Sequence, residues 1–266
     1  MLNRKVTKAV ITAAGYGTRF LPATKNVPKE MLPIIDTPIL QYIVEEAVAS
    51  GIKDIIIVTK YGNDAVENHF DSLLDLESFL GRVDKKEKLE EIRNISKMAN
   101  IAFVRQRRDL PYGNAAPLLS AKPFLDDDNF CYAWGDDLTI PKSNTNPVFK
   151  QIIDKFENSD AEAVIAVHEI SREEVNRYGI ASFKEGTTDV LDRVIEKPNI
   201  EEAPTNLVSF GRYICSPKIW DYLGAEYVGK GNEIWFSEGI DRLAQDFKVL
   251  VHKIEGAWYT TGDPLN

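Results

Sequence analysis

Apolar residues follow two rhythms along this chain. In the first 140 residues, short runs rich in β-branched side chains alternate with stretches whose apolar positions recur every three or four residues. That alternation is the pattern of parallel strands joined by crossover helices. Residues 6–12 read as the first strand. Ile39, Ile43, Val44, Ala47 and Val48 fall on one face of a helix with Pro38 near its start and Gly51 after its end. Strands are predicted at 54–59, 101–104 and 129–134, and a helix at 63–74. The run KKEKLEE, within residues 84–98, predicts a solvent-exposed helix. Beyond Pro147 the rhythm shortens: a helix at 148–158, a strand at 162–168, and β-like runs at 180–184, 190–195 and 206–215. These runs would extend the sheet and form a lid over its carboxyl edge.

The expected fold is therefore α/β, a Rossmann-like, mostly parallel mixed sheet covered by helices, with a β-rich second portion. No Gly/Ser linker, repeat or low-complexity tract divides the chain, so residues 1–266 are expected to form a single domain with parts 1–140 and 141–266. A hydrophobic content of 44% suits a substantial core. The formal charge of -9 argues against a surface that neutralises nucleic acid and favours a nucleotide-sized anion in a local basic cleft. No run approaches the roughly 20 apolar residues that span a bilayer, and the N-terminus, Met1 to Lys5, has no apolar leader, which predicts a cytoplasmic protein with no membrane partner. Cys131 and Cys215 sit in strand-like runs and are expected to be reduced core thiols.

Candidate chemistry begins where the first strand ends. Ala13-Ala14-Gly15-Tyr16-Gly17-Thr18-Arg19-Phe20 is a small-residue turn at the carboxyl end of a strand, where open α/β sheets bind ligands. Glycines there let backbone N–H groups approach an anion, although two glycines alone also make an ordinary tight turn. A dinucleotide fingerprint would need a small residue at Phe20, and a P-loop would need Lys-Ser/Thr after Gly17, so a dehydrogenase reading is weakened. Arg19, Lys25 and Lys29 lie instead in a proline-stiffened segment, FLPATKNVPKEMLPI, suited to holding phosphates in one pose or simply an exposed charged loop.

The run AAGYGTRFLPATKNVPKEMLPIIDTPILQYIVEEAVASGI resembles the N-terminal signature of the bacterial-type UTP:glucose-1-phosphate uridylyltransferases, members of the sugar nucleotidyltransferase family. The resemblance implies the nucleotidyltransferase fold and a transfer of a uridylyl group from UTP to glucose 1-phosphate with a magnesium ion. It places Ala13, Ala14 and Gly15 against the nucleotide and turns Arg19 and Lys29 toward its phosphates. Within Val104-Arg105-Gln106 the match assigns Gln106 to the uracil edge, as an amide that both donates and accepts. The family's LGLGHA reads Leu110-Pro111-Tyr112-Gly113-Asn114-Ala115 here, keeping Gly113 for the nucleotide.

Trp134-Gly135-Asp136-Asp137 makes Asp136 a nucleotide-binding residue and the magnesium ligand, with Asp137 a weaker candidate. Gly179, Glu196 and Lys197 are implied for the sugar phosphate, and Asn206-Leu207 and Gly211 to Ile214 for the wall of its pocket. Arg19, Lys29 and Lys197 would carry catalysis through charge neutralisation. Where relatives show Asp-Thr-Gly or Asp-Cys-Gly, this chain has Thr260-Thr261-Gly262-Asp263, leaving Asp263 or water as the substitute second ligand, or Asp136 with the nucleotide phosphates. Trp235 is expected in the core. His69, His168 and His252 lie outside these blocks. The resemblance also implies a homo-oligomer, dimer or tetramer. A sibling enzyme using dTTP or another hexose 1-phosphate, and a noncatalytic regulatory subunit of the same fold, remain alternatives.

Overall fold

The computed structural model describes residues 4–125 and 127–262. Strand β1 (Val6–Ala13) leads through a loop and a two-residue ribbon, β2 (Pro33–Ile34) and β3 (Thr37–Pro38), into helix α1 (Ile39–Ala49) and strand β4 (Asp54–Thr59). Pro38 precedes the helix in an extended conformation, and Gly51 follows it at φ 92°. These are the boundaries that the sequence predicts for a proline opener and a glycine stop.

The helix expected over 63–74 stops at Phe70, and a further helix that the sequence does not predict follows it. Helix α2 (Asp64–Phe70) ends where Asp71 turns extended and its Oδ1 accepts from Ser72 N at 2.7 Å, a local bond that competes with helical ones. Helix α3 (Leu74–Arg82) then pairs with α4 (Lys86–Ile95), which buries no residue, as its charge pattern predicted.

Next come β5 (Asn100–Arg105), the short helix α5 (Ala116–Ala121), β6 (Asn129–Trp134), β7 (Asp137–Pro141) and α6 (Val148–Glu157). The second half adds β8 (Ala163–Glu169), β9 (Gly179–Phe183), β10 (Leu191–Glu196), β11 (Leu207–Cys215), helix α7 (Phe236–Asp246), β12 (Val249–Lys253) and β13 (Gly256–Thr260). Helices α3, α5 and α7 and strands β2, β3, β7, β12 and β13 are not among the elements the sequence predicts.

Nine strands form one sheet in the order β10-β9-β11-β6-β1-β4-β5, with β8 beside β11 and β12 beside β8. The pairs β1–β4, β1–β6 and β4–β5 are parallel; β11 joins β6, β8 and β9 antiparallel. The β-rich runs of the second half thus extend the first half's sheet. Successive residues of β1 point to opposite faces. Ala9, Ile11 and Ala13 pack against α1 and α6 through Ile43, Val44, Phe149 and Ile152, whereas Val10 packs toward α5 and α7 through Leu118, Phe236 and Ile240. Both faces are covered, so β4 reads DIIIVT with no polar alternation. Cys131 and Cys215 are free and buried in β6 and β11.

Outside the large sheet, among the described residues, β7 and β13 pair only with each other, with Asp137 opposite Thr260. This ribbon draws the chain near Gly262 to the carboxyl end of β6. Among the described residues no helix is long and apolar enough to cross a membrane.

Candidate active site

Strands β1, β4 and β6 end side by side, so the residues that follow them share one edge of the sheet. The turn after β1 is held from below by the loop after β4: Asn63 Nδ2 donates to Ala13 O and Lys60 Nζ to Gly15 O, each at 2.8 Å. Ala13 is itself fully buried. The lysine segment then folds back so that Lys29 Nζ donates to Asp136 Oδ2, an ion pair bridging the first and third sequence blocks. Burial works against the Lys29 ammonium, but the charges of Asp136 and Glu30 outweigh it and hold its pKa above the ordinary value.

Beside it Glu30 is only 2% exposed, and its Oε2 has no hydrogen-bond partner. Burial lifts its carboxyl to about 7, against the pull of Lys29. Glu30 is not among the expected site residues, because no charge pattern signals that the residue after Lys29 turns inward.

Two clefts open on this edge. The first, of about 250 Å³, is lined by Ala14, Gly15, Lys29, Gln106, Gly113 and Asp136 among others. Gln106 is fixed by its backbone N–H donating to Thr59 O at 2.8 Å. Gly113 sits at φ 136°, and a Cβ there would lie 2.2 Å from Ile234 O, so only glycine fits. Tyr112 O accepts from Ile234 N at 2.8 Å, and Asn114 Oδ1 accepts from Phe236 N at 2.7 Å. Asn114 therefore fastens the start of α7 to the cleft. That clasp brings Glu233 and Trp235 into the lining.

The second cleft, of about 330 Å³, holds Arg19, Gly179, Glu196 and Lys197 together with Tyr178, Tyr213 and Trp258. Glu196 and Lys197 are exposed, and Lys197 turns at φ 50°. Arg19 lies on this side, its Nη1 donating to Gly262 O at 3.1 Å. Tyr213 reaches the cleft from its block, but Arg212 points away and is fully buried, and Asn206 Nδ2 donates instead to Ile170 O at 2.8 Å. Only part of the expected wall is therefore wall.

The clefts meet at Asn114, Trp134, Asp136 and Trp235, which line both. Trp235 is half-buried at this junction and does not fill the core, contrary to the expectation. Its neighbours Ile234 and Phe236 are the buried pair; the extended backbone before α7 turns Trp235 the other way.

Asp136 is held by its backbone: Thr261 N and Thr261 Oγ1 both donate to Asp136 O at 2.7 Å. A Cβ on Gly262 would lie 2.9 Å from Asp136 Oδ2 and 3.3 Å from Thr260 Oγ1, so the segment after β13 packs directly on the carboxylate. Asp263 lies outside the described residues. Asp137 turns inward, where its Oδ2 accepts from Gly211 N at 2.7 Å and burial, reinforced by Asp136, lifts it to about 7. Among the described residues no group of three or more His, Cys, Asp or Glu side chains gathers as a metal cage. His69 and His252 face Gln41 and Gln151 at 2.8 and 3.2 Å, away from both clefts.

Residues 8–265 match the nucleotidyl transferase family. A UTP–glucose-1-phosphate uridylyltransferase of Staphylococcus saprophyticus is 42% identical over 264 residues, covering 98% of this chain and 89% of that protein. A UTP-bound UGPase from Acinetobacter baumannii superposes with a TM-score of 0.89 at 32% identity, covering 98% of this chain and 90% of that one. A UDP-glucose pyrophosphorylase complexed with UDP-glucose superposes with a TM-score of 0.84 at 33% identity, covering 97% and 94%.

Proposed function

The chain belongs to the nucleotidyl transferase family, and from that premise we propose that it transfers a uridylyl group from UTP to glucose 1-phosphate, giving UDP-glucose and pyrophosphate. The observation that carries this reading is the meeting of two clefts at Asp136, one built around the glycine turn and Gln106, the other around Gly179, Glu196 and Lys197. A nucleotide and a sugar phosphate bound side by side bring their phosphates to that junction.

UTP occupies the first cleft. The Gln106 amide and the Gly113 backbone take the uracil edge, and Ala14 and Gly15 border the nucleotide, while Ala13, expected beside them, lies buried beneath the turn. Glucose 1-phosphate occupies the second, its hydroxyls donating to Glu196 and its ring approached by Gly179. A nonbridging oxygen of the sugar phosphate attacks the α-phosphorus in line with departing pyrophosphate. Lys29 and Lys197 offset the charge that accumulates, and Arg19 takes phosphate oxygens from the sugar side. Catalysis rests on positioning and charge neutralisation, with no protein nucleophile.

Magnesium fits the donor set. This cation prefers oxygen ligands and commonly takes one or two carboxylates, completing its shell with phosphate oxygens and water. Asp136 supplies one carboxylate at the junction, with Thr260 Oγ1 nearby. When bound, the ion withdraws charge from the α-phosphate. Residues 1–140 supply most of the nucleotide cleft and 141–266 most of the sugar cleft, within one cytoplasmic domain that assembles as a dimer or tetramer.

The test is pyrophosphate release by the purified protein with magnesium, across UTP, dTTP, ATP, CTP and GTP, each with glucose 1-phosphate and galactose 1-phosphate. Release that needs both UTP and glucose 1-phosphate and is lost in Asp136→Ala supports the reading. A folded protein that binds UTP yet releases nothing with any pair would overturn it in favour of a regulatory subunit.

A further inference from the structure

A third cavity, of about 640 Å³, adjoins the first cleft and shares Ala14, Gln106 and Tyr112 with it. Its other walls are Tyr16, Lys60, Tyr61, Arg107, Arg108 and Leu110. Two features separate it from an ordinary charged surface. The first is charge of one sign. Lys60, Arg107 and Arg108 line the cavity, Arg105 stands outside the lining against Tyr61, and Asp109 satisfies only Arg107. Arg105 and Arg108 make no ion pair among the described residues, and Lys60 donates to a backbone carbonyl, not to a carboxylate. On a chain of net charge -9 such a concentration runs against the global sign.

The second feature is the aromatic rim. Tyr16, Tyr61 and Tyr112 are 68%, 72% and 56% exposed around the same opening. Lys60 Nζ stands 4.3 Å from the centre of the Tyr16 ring, and the Arg105 and Arg108 guanidinium carbons each stand 5.7 Å from that of Tyr61. The floor is rigid: Arg107 N donates to Ser120 Oγ at 3.0 Å, and Lys60 is tied to Gly15 O. Rings that stack on a flat base, set among cations that take phosphate oxygens, are the complement of a nucleoside phosphate. The volume suits one small ligand, not a polymer.

We propose that this cavity is a second nucleoside-phosphate site, beside the catalytic one and in communication with it through Ala14, Gln106 and Tyr112. The proposal rests on the first cleft being the UTP site. A ligand in the second site presses on the same Gln106 and Tyr112 that border the catalytic nucleotide, so the two occupancies are coupled.

Equilibrium dialysis with radiolabelled UTP and magnesium, and separately with UDP-glucose, tests it. We expect two nucleotides per chain for at least one probe. In Tyr61→Ala/Arg108→Glu, whose replaced side chains are exposed, the weaker class should lose affinity at least tenfold while the tighter class stays within about twofold. One nucleotide per chain for both probes, or two classes that survive the double substitution, would overturn the second site while leaving the catalytic reading intact. If UTP does not bind at all, the catalytic reading fails, and this inference with it. Circular dichroism of the double variant separates loss of a site from loss of fold.

Discussion

Lys29 holds its charge in a place that disfavours charge. Desolvation pulls its pKa down, and the carboxylates of Asp136 and Glu30 more than restore it, so the ammonium stays protonated at neutral pH. That ammonium rests on Asp136, whose carboxylate neutralises it. Substrate phosphates give it a second set of anionic partners at the same junction. Lys29→Met keeps the length and apolar stem of the side chain and removes only the charge. We expect kcat to fall by roughly 10²–10³, the scale for removing one preorganised donor to transition-state charge. Steady-state kinetics with UTP varied would show it, and a fall below tenfold would mean that Lys29 is dispensable to the transition state. Arg19, Lys29 and Asp136 were readable at this scale because a motif specifies residue types. Glu30 and Trp235 were not, because the inward or outward turn of one side chain depends on neighbours far away in sequence.

Between elements, the Gly-Asp-Asp turn is steadied by a buried charge pair. Arg212 on β11 is fully buried; its Nη2 donates to Glu46 Oε2 of α1 and to Asp137 O, both at 2.8 Å. Glu46 also accepts from Thr139 Oγ1 at 2.8 Å and from Phe149 N at 3.0 Å, so one carboxylate joins α1, β7, α6 and β11. Removing Arg212 alone would strand that carboxylate. Arg212→Met is expected to cost about 3–5 kcal/mol in urea unfolding, as for other broken buried pairs. Arg212→Met/Glu46→Gln should recover at least half of that loss; equal losses in the single and double variants would show that Glu46 is not the liability. The strands were largely legible because buried parallel strands are continuous apolar runs. Helix α5 and the ribbon strands β7 and β13 were not. The first is a six-residue helix without a polar face, and the other two pair across more than a hundred residues, with no local signal to announce it.

Across the whole molecule, pH should act through a carboxyl that lines neither substrate cleft. Asp241 on α7 accepts from Val194 N of β10 at 2.8 Å, and burial lifts its pKa to about 7. A carboxyl raised in the folded state contributes stability below its unfolded pKa and loses it as pH rises through about 7. Asp241→Asn keeps an acceptor for Val194 and cannot ionise. Thermal unfolding should show the midpoint of the variant relative to the parent rising between pH 4 and pH 8, by about 2 °C or more. A difference that does not change with pH would refute the assignment. By itself the sequence determined the α/β class, the strands that end at the site, and the residue types gathered there, because hydrophobic period and short motifs are local properties. Tertiary structure alone decided that residues 112–114 clasp residues 234–236, that the segment after β13 packs on Asp136, and that Trp235 faces the junction of two clefts. Each depends on which distant segments share an edge, and that is settled when the whole core closes, not by any window of the chain.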